Sequence, residues 1–142
     1  MNAIDWMYTF EKDNKTIREI SRNANVTELE VLRTLITSDQ VALYGKDEIL
    51  PLLNELSEMG TTLVIVENQG SIFEIKCQFP KGQEGYGYYN LKIEGDCGLG
   101  GHVDINHINH VAVTSEIFFN KPSKAWWFIH ESGRVVFKVY VG

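Results

Sequence analysis

The sequence predicts an α+β domain, with N-terminal helices packed on a large antiparallel β-sheet. Three observations carry that expectation. Helical periodicity with cap signatures is confined to the first 60 residues, β-branched or alternating runs fill residues 61–142, and turn clusters link those runs closely. At 142 residues and 44% hydrophobic composition the chain is long enough to bury a core without a disulfide or metal staple. The expected organisation is a single domain over 1–142, helical over about 1–60 and sheet over about 61–142.

Residues 2–14 scatter Ile4, Trp6, Met7, Tyr8 and Phe10 over one short segment that can dock as a helix by its aromatics. Thr16-Ile-Arg-Glu19 is a capping box, and Ile17, Ile20 and Ala24 recur at helical spacing, predicting a helix over about 16–23. Asn23-Ala-Asn25 is turn chemistry. Thr27-Glu-Leu-Glu30 repeats the box, with Val26 and Val31 as its hydrophobic staple, and opens a helix over about 28–37 whose apolar face holds Leu29, Val31, Leu32, Leu35 and Ile36. A third helix starts at Asp47 with Pro51 in its first turn, buries Ile49, Leu52, Leu53, Leu56 and Met59, and stops at Gly60.

Beyond Gly60 the period changes. Thr61–Val66 is β-branched, and Ser71–Phe79 alternates, with Phe73, Ile75, Cys77 and Phe79 on one face. Pro80–Gly85 is expected to close that strand. The tyrosine strand follows, with Tyr89, Leu91 and Ile93 on one face and Tyr88, Asn90 and Lys92 on the other. Further strands are predicted over about 103–105, 110–119, 124–130 and 134–141, the last two joined by a Glu131-Ser-Gly133 turn. In the last strand Val135, Phe137, Val139 and Val141 are expected inward, and Arg134 and Lys138 outward.

Composition restricts function. A net charge of −6 repels phosphate backbones and anionic lipid surfaces, so nucleic acid is not an expected partner. The two short helices could suggest a DNA-reading pair, but Glu28 and Glu30 stand where phosphates would be met. No apolar run approaches the roughly 20 residues of a membrane span, and acidic Asp5 stands where a signal peptide would be positive. Cys77 and Cys97 are sparse enough to fit a reducing compartment, and a cytoplasmic location is expected.

Chemistry-bearing residues concentrate in Gly85–His110, where 26 residues hold three tyrosines, six glycines and three of the four histidines. His102, His107 and His110 would suit a transition metal, but strand parity separates His107 from the other two unless the segment around Asn106–Asn109 breaks. Surface or turn roles fit His107 and His110 better. Gly98-Leu-Gly-Gly101 lacks the Lys-Ser/Thr of a phosphate loop, and neither Ser-x-x-Lys nor Gly-x-Ser-x-Gly occurs. A flat apolar ligand such as haem needs an axial ligand and cations for its propionates. Candidate ligands are His102 or, as phenolates, Tyr86 or Tyr88; candidate cations are Lys92 and Lys76. Trp126 and Trp127 are expected in the core rather than as a stacking platform.

Gly87-Tyr-Tyr-Asn-Leu91, Gly98-Leu-Gly-Gly-His102 and Phe137-Lys-Val-Tyr-Val-Gly142 follow Thr27-Glu-Leu-Glu-Val-Leu-Arg33 and Thr61-Thr-Leu-Val64. In that order they resemble the intracellular haem-utilisation carriers of the HutX/ChuX/HugX type over about residues 16–142. The resemblance implies a helix-flanked antiparallel sheet, a homodimer, and reversible haem binding as cargo for transfer or storage, with a delivery or haem-degrading partner protein. It places the proposed haem histidine at His102. A second histidine proposed in some members follows Thr-Thr-Leu-Val; here that position is Ile65, which cannot ligate, and the Tyr86–Tyr89 region becomes the alternative source. Family members continue into a further helix, whereas this sequence ends at Gly142. The competing functions are haem degradation and a haem-independent interaction module built on the helical pair.

Overall fold

The computed structural model describes residues 16–36, 40–93, 98–118 and 121–141. Residues 2–14, expected to dock as a helix, the last residue of the helix expected over 28–37, and Cys97 lie outside them.

Helix α1 (Ile17–Ala24) starts at Thr16, whose hydroxyl accepts from Glu19 N–H at 3.1 Å while Glu19 reaches back to Thr16 N–H, closing the predicted capping box. Asn25 ends it in the left-handed conformation, with φ at 56°. Helix α2 (Glu28–Leu35) keeps one arm of its box, Thr27 accepting from Glu30 N–H at 3.2 Å. Ile17, Ile20, Leu29, Val31, Leu32 and Leu35 are buried, whereas Ile36, expected on that face, is exposed. A one-turn 3₁₀ segment at Lys46–Glu48 leads into α3 (Ile49–Leu56), which buries Ile49, Leu53 and Leu56.

Among the described residues nine strands occur: β1 (Val41–Tyr44), β2 (Thr61–Asn68), β3 (Ser71–Gln78), β4 (Gly82–Gly85), β5 (Tyr88–Leu91), β6 (Gly101–Val103), β7 (Ile108–Phe118), β8 (Lys121–His130) and β9 (Val135–Val141). All pairings are antiparallel. They make a six-stranded sheet in the order β1-β7-β8-β9-β2-β3 and a separate three-stranded sheet, β4-β5-β6. The α+β expectation holds, with three corrections. A strand, β1, stands inside the part expected to be helical; the tyrosine strand belongs to a second sheet rather than the large one; and Pro80–Gly85 is largely strand rather than turn.

The six-stranded sheet is packed on both faces, because successive residues of a strand point to opposite sides. On one face Trp127, Ile129, Ala112, Ala125 and Tyr140 meet α1 and α2. On the other, Phe128, Phe137 and Phe79 form a stacked aromatic row, with centroids 4.5 Å and 6.2 Å apart, and Trp126, Val139 and Val64 meet α3. A register shift between Phe128 and Ile129 switches sides, so Val135 joins the helix-facing core while Phe137, Val139 and Val141 lie on the α3 face. Lys138, expected outward, is half-buried, its ammonium 4.3 Å from the Trp127 ring centroid and 4.7 Å from that of Tyr140.

Candidate functional site

The three-stranded sheet lies over the α3 side of the large sheet and is held there by Tyr89. Tyr89 is buried, its ring crosses Gly82, and its hydroxyl donates to Asn54 Oδ1 at 2.8 Å. A Cβ on Gly82 would come within 2.2 Å of that ring, so the close crossing requires glycine there. Burial raises the Tyr89 pKa, against a hydrogen bond from the Gly82 backbone that lowers it. Leu91 and Val103 pack inward beside Tyr89. Alternation therefore puts Tyr88, Asn90 and Lys92 on the outer face, as strand parity predicts.

The outer face gains its histidine from a strand pairing. β5 and β6 place Asn90 opposite His102, and Asn90 Oδ1 lies 2.6 Å from His102 Nδ1. The His102 ring is tilted 60° to Tyr88, with centroids 5.7 Å apart. Both side chains are exposed. His102 thus stands on a strand, β6. Tyr86 and Gly87 are the two-residue loop between β4 and β5, with φ at 56° and 81°. Such loops need positive φ at both positions, and a tyrosine in that conformation costs about 1–2 kcal/mol. Its ring is fully exposed at the hairpin tip.

The structure brings Tyr88, His102 and Lys92 to one face and Tyr86 to its edge, but not Lys76, which pairs with Leu63 on the edge of the large sheet. The three histidines read as a possible metal set are separate. His107 meets Asp104 at 2.7 Å and stacks on His130, whereas His110 meets Arg33 at 3.3 Å. Among the described residues no cluster of three or more potential metal ligands occurs.

A cleft of about 390 Å³ opens on the α1 side of the large sheet and includes neither tyrosine nor histidine of the Tyr88–His102 face. Ile65, Trp127, Val135 and Tyr140 supply its apolar wall, and its cations are engaged within the protein. Arg18 and Arg22 reach Glu67 at 2.9 and 3.8 Å, and Arg134 reaches Glu28 at 3.2 Å. The cleft has a size usual for small ligands, but Ile65 offers no metal ligand. The candidate ligands His102 and Tyr88 stand on the other face described above.

Sequence reasoning placed Asn90 on the right face but gave it no role. Its signal is the pairing to His102, twelve residues away, which parity within one strand does not contain.

Known proteins share this chain's sequence and fold. The chain is 36% identical over 123 residues to the intracellular heme transport protein HutX of Vibrio cholerae, covering 87% of this chain and 63% of that protein, so it spans less than two-thirds of its relative. The heme binding protein ChuX superposes with a TM-score of 0.78 at 24% identity, over 90% of this chain and 78% of that one. ChuS, an Escherichia coli heme oxygenase, shares the fold with a TM-score of 0.81 at 21% identity, over all of this chain and 41% of that one. Residues 43–142 match the haem utilisation ChuX/HutX family, and to that family the chain belongs.

Proposed function

We propose that this protein binds haem as cargo inside the cell and passes it on or stores it, with His102 as the axial ligand and Tyr88 and Tyr86 flanking the iron side. The observation that carries the site is the pairing of exposed Tyr88 and His102 on the bare face of a sheet anchored from behind by Tyr89. An imidazole supplies a neutral nitrogen ligand, and a flat apolar ligand gains affinity from the flanking rings. Lys92, the exposed residue that follows β5, would meet a propionate.

A carrier is favoured over an enzyme because the curated relative is named for transport, and only the more distant heme oxygenase supports degradation. Titration with ferric haem should give a saturable Soret shift, and His102→Ala should weaken or change it. Absence of any saturable shift sinks the proposal. Loss of the Soret band under an electron donor and oxygen, persisting with catalase present, would favour degradation. A homodimer fits the outer edge of β3, which no strand pairs among the described residues and where Ile72 and Phe73 are exposed; such edges invite pairing or cover, and sedimentation reads the stoichiometry.

A further inference from the structure

We propose that Asn90 is the positioning residue that prepares His102 for a metal, holding the neutral ring in its Nδ1–H form so that Nε2 keeps the lone pair. The inference rests on the haem reading above and deepens it.

The argument is one of donors and acceptors. Asn90 Nδ2 lies 3.1 Å from the carbonyl oxygens of Gln83 and of Gly85, both on β4. Carbonyls only accept, so the amide nitrogen must face them and the amide oxygen must face His102. That oxygen is itself only an acceptor. The 2.6 Å contact therefore requires a proton on His102 Nδ1. A neutral imidazole carries one N–H and one lone pair, so Nε2 is left as the ligating atom. Metal-binding histidines are oriented in this way, by a hydrogen bond on the other ring nitrogen. Here the bond is built into the pairing of three strands: β4 fixes the amide, β5 carries it, and β6 presents the ring opposite.

The other histidines supply an internal contrast. His130 Nδ1 accepts from Ser132 N–H at 3.0 Å, which puts its proton on Nε2. Two histidines of one chain are thus held in opposite tautomers by different neighbours.

The test begins without haem. Long-range proton–nitrogen NMR correlations of the histidine-labelled full chain, above the histidine titration range, should assign Nδ1–H to His102 and Nε2–H to His130. In Asn90→Ala the His102 pattern should move toward Nε2–H while that of His130 stays. Haem affinity should fall about 10–100-fold in this variant. Asn90→Ala and Asn90→Asp both take the amide N–H groups from the Gln83 and Gly85 carbonyls, so any opening of the hairpin is common to the two and the difference between them reads the bond to Nδ1. A carboxylate pulls harder on the Nδ1 proton, and the iron–histidine stretch of the ferrous complex should rise. An Nε2–H form of His102 in the wild-type protein overturns the proposal even where haem still binds through His102. So does an iron–histidine stretch that is the same in the wild type and Asn90→Asp. Failure of the haem reading is separately visible, as a haem spectrum that His102→Ala leaves unchanged.

Discussion

The six-stranded sheet has Phe128 and Ile129, both fully buried, on opposite faces, with helices α1 and α2 over one side and α3 over the other. The three-stranded sheet buries Tyr89 on one side and leaves Tyr88, Lys92 and His102 exposed on the other. The first therefore specifies and stabilises the fold. The second is attached to it through one face and is free to present ligands on the other. Polar or aromatic groups on a bare face contribute little to folding, so they can be chosen for binding.

The largest expected effect tests the first half of that contrast. Phe128 stacks on Phe137 at 4.5 Å and is fully buried. Phe128→Ala removes a ring from the stacked row it forms with Phe137 and Phe79. It should cost about 3–5 kcal/mol in equilibrium urea unfolding. His102→Ala, by contrast, should stay within about 0.5 kcal/mol of the wild type while changing the haem spectrum. Comparable costs for the two variants would erase the distinction between the sheets.

A smaller effect is expected at the joint between them. Gly82→Ala drives a methyl against the Tyr89 ring and threatens the hydroxyl's bond to Asn54. Overpacking of this kind costs about 1–3 kcal/mol. The cost should be local, with faster amide exchange in β4–β6 and little change in β7–β9. Uniformly faster exchange would mean that the small sheet is not a separate unit but part of the same cooperative core.

This division also explains what could be read from the residues alone. The capping box at Thr16 and one arm of that at Thr27 are local patterns, and the structure keeps them; of the alternation in Ser71–Gln78 it keeps the burial of Cys77 and the partial burial of Ile75, while Phe73 is exposed. β1 is only Val-Ala-Leu-Tyr, too short to show a period, and is a strand because it pairs with β7 some 70 residues later. β4 is Gly-Gln-Glu-Gly, with no β-forming side chain, and is a strand because β5 lies against it and Tyr89 needs Gly82 bare. Of the candidate site, parity gave Tyr88 and Lys92 a common face. The addition of His102 and the use of Asn90 depend on the β5–β6 register, which is a tertiary fact. Lys76 failed as a partner for Lys92 for the same reason: it lies on the other sheet.

The smallest expected effect is a pH dependence that belongs to the doubly packed sheet. His110 sits on β7 with Nε2 accepting from the Arg33 guanidinium of α2 at 3.3 Å. Burial, and then the Arg33 charge, lower its pKa from the ordinary 6.5. The folded state thus favours neutral His110, and between the lowered folded value and 6.5 the unfolded chain binds more protons. Stability must then rise with pH across that window. The contribution is fully present above 6.5 and is lost as pH falls through the folded value. His110→Gln, which keeps a polar acceptor beside Arg33 without a titrating ring, should flatten the fall in unfolding free energy between about pH 7 and about pH 5 relative to the wild type. Parallel curves for the two proteins would show that His110 is not held neutral by its place between sheet and helix, and that burial on this face is looser than the packing implies.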